Sequence, residues 1–183
     1  MRRINGHKLK LSEFNRLFKK TYNPLCLFAN KYLEDLETSK DIVQDVFIKI
    51  WEDKVTFINE TAIKSYLYTS VRNRSIDYLR NKSFRKTFPF NTKKMEELET
   101  ETFFLREVVV VETSDIIENA INTLPKKCAK IIRLSAKGLT NANIAEKLGL
   151  TINTVKTQKK IAYKRLKPIL KEHFIFIAFF FEN

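Results

Sequence analysis

Six basic side chains and no acidic one fall within "TINTVKTQKKIAYKRLK", residues 151–167. An ordinary surface helix mixes signs so that residues four apart support one another, and this stretch does without that support. With Val155, Ile161, Ala162 and Leu166 turned inward at helical spacing, Lys156, Thr157, Lys159, Lys160 and Lys164 are left outside. The first half of such a helix, laid in a DNA major groove, brings lysine to guanine edges and threonine to the thymine methyl. Asn153 and Thr154, beside the unpaired N–H groups of a helix start, suit phosphate contacts. Lys159, Lys164, Arg165 and Lys167 suit attraction to the backbone that is blind to sequence.

A second constellation lies in "YTSVRNRSIDYLRNKSFRK", residues 68–86. Arg72, Asn73, Asp77 and Arg80 fall close to one face of a helix, and Arg74, Lys82, Arg85 and Lys86 extend the positive surface. Tyr66, Tyr68 and Tyr78 are interleaved with them. Basic and aromatic groups together suit a single-stranded backbone and unstacked bases. Asp77 is spaced to pair with Arg80, and a tyrosine here, Tyr78 above all, also suits the core. Catalysis has no comparable constellation. The only histidines are His7 and His173, and the acidic residues lie on helix faces or in a Glu-rich stretch. No nucleophile sits among catalytic Arg and His, and no carboxylate set is spaced for a metal. An enzyme, a cofactor, a metal and a small-molecule substrate are all unexpected.

The elements that position these residues read as helices throughout. The chain has 183 residues, with 34 Lys plus Arg against 21 Asp plus Glu, a formal charge of +13 that favours a polyanionic partner. A hydrophobic fraction of 44% allows a core, and only 3 Gly and 4 Pro suit helices on short loops. Phe14, Leu17, Phe18, Tyr22, Leu25, Phe28, Tyr32, Leu33 and Leu36 recur at three and four as one amphipathic helix containing Pro24. A second helix is expected after Ser39 as N-cap, burying Ile42, Val46, Phe47 and Ile50 and exposing Asp41, Asp45, Lys49 and Glu52. A third runs through "AIKSYLYTSVRNRSIDYLRNK", with Leu67, Val71, Ser75 and Tyr78 in line.

Residues 84–112 change texture, with Pro89, "MEELETE" and "VVVV", and read as a linker carrying at most a short acidic helix and a docking point at 108–111. Helical period resumes after Ser114 as N-cap, with Ile116, Ile117, Ala120, Ile121 and Leu124 inward and Pro125 opening the next helix. Thr140 then caps "NANIAEKL", Gly149 takes the tight turn and Thr151 caps the cationic helix, which is helix-turn-helix order. Cys26 and Cys128 sit in apolar stretches and read as buried free thiols of a reducing cytoplasm. "FIFIAFFF", residues 174–181, is far short of the ~20 residues of a membrane span, so a cytoplasmic chain is expected.

The segments "DIVQDVFIKIWED", "IKSYLYTSVRNRSIDYLRNK" and "LPKKCAKIIRLSAKGLTNANIAEKLGLTINTVKTQ" resemble, in order, regions 2.2, 2.3–2.4 and 4 of the sigma-70 superfamily. The chain looks like an extracytoplasmic-function (ECF) sigma factor over about residues 12–170. The resemblance implies an all-α chain of two small helical domains joined by a flexible linker: 1–83 as the region 2 bundle, 84–112 as the linker, 113–172 as the region 4 helix-turn-helix, and 173–183 as an apolar tail. It also implies binding to core RNA polymerase through the β′ clamp helices and the β flap, and direction of the polymerase to promoters. Asp41, Gln44, Asp45 and Lys49 match the clamp-docking face, with Trp51 as packing. Arg72, Asn73, Asp77 and Arg80 match the −10 face, and the loop Val55 to Lys64 the wall of a pocket for a flipped base. Asn153, Thr154, Lys156, Thr157, Lys160 and Lys164 match the −35 surface. In the family the acidic linker passes near the active-site channel, where the glutamates would imitate nucleic acid charge.

Two features depart from the family. Asn143 stands where an acidic residue is usual before Ile-Ala, and the Phe-rich end has no family counterpart. Eight consecutive apolar residues would be a costly exposed patch, so the end is expected to pack on the second module or bind a partner such as an anti-sigma factor. The rival function is a two-domain helix-turn-helix repressor or activator working without polymerase, which would bind palindromic duplex as a homodimer.

Overall fold

The computed structural model describes the backbone of residues 7–84 and 92–181 and the side chains of residues 9–81 and 93–171. Arg85, Lys86, Pro89 and the side chain of Lys82 lie outside them, as do the side chains of the Phe-rich end. The chain forms two compact units, Met1–Val111 and Glu112–Asn183. The described residues form eight helices and one two-stranded ribbon, an all-α architecture. No helix among them is long and apolar enough to cross a membrane.

In the first unit, α1 (Leu11–Leu33), α2 (Leu36–Glu52) and α3 (Glu60–Phe84) pack against one another. The apolar stripe of α1 buries Leu17, Leu25, Phe28 and Tyr32 against Val43, Val46, Phe47 and Ile50 of α2 and Leu67 and Val71 of α3. The first helix does not reach Leu36. Glu34 adopts a left-handed conformation (φ 53°), and Asp35 caps α2 by accepting from the N–H groups of Glu37 (3.1 Å) and Thr38 (3.4 Å). Ser39, expected as that cap, is buried inside α2, where its hydroxyl donates to the Asp35 carbonyl at 2.6 Å. Leu36 is exposed and Ile42 only partly buried, while Val43 takes the core place.

A ribbon too short to show a sequence period pairs β1 (His7–Lys8) antiparallel with β2 (Thr56–Phe57), His7 opposite Phe57. It ties the N-terminal segment to the loop before α3. Asn59 starts α3 by accepting from Ala62 N–H at 2.8 Å.

Residues 92–111, within the stretch read as a linker, are helical and belong to the first unit. They form α4 (Thr92–Glu99) and the start of α5 (Glu101–Asn122), and Leu98, Phe103 and Val111 are buried in the first core. Thr100 caps α5 by accepting from Phe103 N–H at 3.1 Å. Ser114, expected to begin a helix, is inside α5. Further along α5, Ala120 and Ile121 join the core of the second unit, whereas Ile117 is exposed.

The second unit continues with α6 (Lys126–Ala136), α7 (Asn141–Leu148) and α8 (Ile152–Phe181). Pro125 sits one position before the helix it was expected to open, as the N-cap of α6. Cys128 and Cys26 are both buried and unbridged, and the Cys128 thiol donates to Gln158 Oε1 at 2.8 Å.

Candidate nucleic-acid interface

The helix-turn-helix is built from local signals that agree. Thr140 Oγ1 accepts from Asn143 N–H (3.2 Å) to start α7, and Gly149 ends it in the left-handed region (φ 61°). Thr151 Oγ1 accepts from Thr154 N–H (3.1 Å) to start α8. Ile131, Ile144, Ala145 and Val155 form the small core that fixes the crossing of α6, α7 and α8, and Leu148 packs on its edge. Small Ala145 permits that close approach.

Along α8, Asn153, Lys156, Thr157, Lys160 and Lys164 are exposed. Thr154 is half-buried, and its hydroxyl shares a 2.8 Å hydrogen bond with that of Thr151, so its reach toward a phosphate is reduced. Two expectations are corrected. Ile161 is exposed rather than inward. Lys159 is not outside: its ammonium donates to Ser135 Oγ (2.7 Å) and Asn141 Oδ1 (3.3 Å), pinning α8 to the end of α6 and the start of α7. The two acceptors lie on other helices, so the sequence of α8 alone does not show them.

On α3 the structure separates the four residues taken together from the sequence. Asn73 and Asp77 are exposed. Arg80 does not pair with Asp77; its Nε and Nη2 donate to Glu99 Oε1 at 3.2 and 3.0 Å. Arg72 is largely buried, donating to Glu101 Oε2 at 3.1 Å and to the Glu99 carbonyl, with its guanidinium 5.0 Å from the Phe104 ring centre. A carboxylate nineteen residues along the chain outcompetes the local i,i+3 partner because the α4–α5 turn folds against α3. Tyr68 is a core residue, edge-on to Phe28 at 5.0 Å, and Tyr78, expected in the core, is 38% exposed.

On α2, Asp41, Gln44, Asp45 and Lys49 form one exposed face. Asp45 accepts from Arg74 Nη1 at 3.2 Å, which turns Arg74 toward α2, and Gln44 Nε2 donates to the Tyr22 hydroxyl at 3.4 Å. Ile48 and Trp51 are exposed along the same helix, an apolar component missed in the sequence because polar neighbours surround it. Trp51 packs on Phe14, with ring centres 5.0 Å apart.

The loop before α3 walls a pocket of about 370 Å³. Phe57, Ile58, Asn59 and Glu60 line one side, and Arg16 and Lys20 of α1 the other. Lys20 meets Glu60 at 2.5 Å, which holds the Glu60 carboxyl below the usual range. The α1 side of the pocket was invisible in sequence, since it depends on how α1 and the loop face one another. No group of His, Cys, Asp and Glu among the described residues could hold a metal ion.

Comparison with known proteins gives a consistent set. Residues 17–85 match the family described as Sigma-70 region 2, and residues 114–166 match Sigma-70, region 4. The chain is similar to the RNA polymerase sigma factor SigZ of Bacillus subtilis, 27% identical over 85% of each chain. It is 26% identical to the ECF RNA polymerase sigma factor SigM of Mycobacterium tuberculosis, over 86% of this chain and 76% of that one. A probable RNA polymerase sigma factor of Haemophilus influenzae is 25% identical, over 79% of this chain and 83% of that one.

Proposed function

Because the chain belongs to the extracytoplasmic-function group of the sigma-70 superfamily, we infer that it is an RNA polymerase sigma factor, binding core polymerase and directing it to promoters. Sigma factors are initiation factors without enzymatic chemistry of their own, and this one is read as working in the cytoplasm. The observation that carries the reading is the pairing, in order, of a region 2 bundle with a region 4 helix-turn-helix whose second helix is cationic and acid-free over residues 151–167. A repressor acting without polymerase gives no reason for the first unit.

In this reading Asp41, Gln44, Asp45 and Lys49 dock on the β′ clamp helices, with exposed Ile48 supplying the apolar centre. The second unit meets the β flap and lays α8 in the −35 major groove. There Lys156 and Thr157 reach base edges, and Asn153, Thr154, Lys160 and Lys164 hold the backbone. Arg72, Asn73, Asp77 and Arg80 face the −10 element. The pocket beside Phe57 and Asn59 receives a base flipped from the melted strand, at an unstacking cost of a few kcal/mol that the contacts offset. The Phe-rich end is read as a contact for the second unit or for an anti-sigma factor.

The test is to add the purified chain to sigma-free core polymerase with genomic DNA and map transcript starts. Starts that share two spaced sequence motifs and vanish without the chain are expected. Protection of palindromic duplex by the chain alone, with no new starts, would overturn the reading.

A further inference from the structure

The acidic turn between α4 and α5 lies on the arginines that the −10 strand would need. Glu99 holds Arg80 through one carboxylate oxygen, at 3.0 and 3.2 Å, and Glu101 holds Arg72 at 3.1 Å. The turn is built into the unit. Leu98 and Phe103, immediately before and after it, are buried in the first core, and the Phe103 ring stands edge-on to Tyr32 at 5.1 Å. Phe104 packs edge-on to Phe28 at 5.9 Å and lies under Arg72. Lys94 ties α4 to Glu34 at the end of α1, at 2.8 Å. Three aromatic or aliphatic anchors and one ion pair thus hold two carboxylates against the two arginines.

We propose that this turn is an intramolecular mask: Glu99 and Glu101 neutralise Arg80 and Arg72 in the free chain and are displaced by single-stranded DNA. The inference rests on the reading of Arg72 and Arg80 as DNA-facing. Its two halves differ in depth. The side chain of Arg80 is 54% exposed and that of Arg72 only 16%, so Arg80 is the one that exchanges readily. Partly exposed ion pairs are weak and salt-screened, which suits a mask: it discourages stray contacts yet yields to a correctly held strand. The deeper Arg72–Glu101 pair is correspondingly harder to open.

The test titrates the full chain into a short fluorescein-labelled single-stranded DNA of mixed sequence, read by anisotropy at low salt. Glu99→Gln with Glu101→Gln is expected to tighten binding about fivefold, the scale of two such pairs. The charge-matched control Glu52→Gln with Glu96→Gln, at two exposed sites paired with neither arginine, should give a much smaller gain. Arg80→Gln should remove most of the gain in the unmasked background and change little in the wild type, with thermal melts confirming that each variant folds. Equal tightening by both Glu pairs would mean a net-charge effect and overturn the mask. Loss of binding in wild-type Arg80→Gln, without tightening by the Glu99/Glu101 pair, would also overturn it, leaving Arg80 as an uncovered DNA contact. No effect of Arg80→Gln in either background would sink the arginine face itself, and the mask with it.

Discussion

Lys159 and Lys156 stand on one helix with one charge each, and the structure gives them different work. Lys159 donates to Ser135 and Asn141, so Lys159→Ala should loosen the seating of α8. It is expected to cost about 1 kcal/mol of stability and to weaken binding to all promoters alike, measured by denaturant melts and duplex titration. Lys156→Ala leaves the fold intact and should weaken initiation selectively where the −35 sequence matters, read by transcription from −35 variants. Asp45 poses a similar question, since it pairs with Arg74. If its role is to dock on polymerase, Asp45→Ala should lower affinity for core polymerase on every promoter, whereas Arg74→Ala should not. Equal losses in an affinity measurement would assign the effect to the pair. Cys26 makes a simpler case. Burial pushes its thiol above the usual range, so little thiolate exists at neutral pH. Alkylation of native protein at that site should be slow and become fast in denaturant.

At the scale of elements, the turn between α7 and α8 depends on one backbone conformation. Gly149 has φ 61°, and a Cβ there would meet nothing within 4 Å, so the cost of a side chain is purely conformational. Gly149→Ala should lose about 1 kcal/mol, and Gly149→Asn distinctly less, by thermal melting. The junction of α1 and α2 makes the same point with a side chain: Asp35→Ala should cost about 1 kcal/mol. These two elements also mark what could be read from sequence. The helix-turn-helix was legible because Thr140, Ala145, Gly149, Thr151 and Val155 all speak within one short stretch, and each signal agrees with the next. The α1–α2 junction was misread because Ser39 is as good a cap type as Asp35, and the choice depends on the left-handed Glu34. The packing of the acidic segment was hard to read for a different reason. Phe103 and Val111 lie two turns apart on α5, but the buried position between them is Glu107, and Leu98 sits on the separate helix α4, so the stripe looks solvated. The partners of Arg72 and Arg80 lie on that segment, so they could not be read from the helix that carries them.

The molecule as a whole carries a formal charge of +13, and Lys156, Lys160, Lys164, Arg165 and Lys167 are all exposed on α8. Binding of the free chain to duplex should therefore fall steeply with salt, and removing Lys160 should reduce the salt slope by about 1 on any sequence. The course of α5 has a consequence for anyone recombining such factors. Val111 belongs to the core of the first unit, while Ala120 and Ile121, on the same helix, belong to the second. A hybrid grafted at residue 84, where the sequence suggests a seam, would take Leu98, Phe103 and Val111 away from the core they fill. The donor's acidic turn would then sit over a recipient surface it never fitted. A graft near residue 112 keeps each core with its own side chains, so promoter preference could be traded between relatives without trading stability.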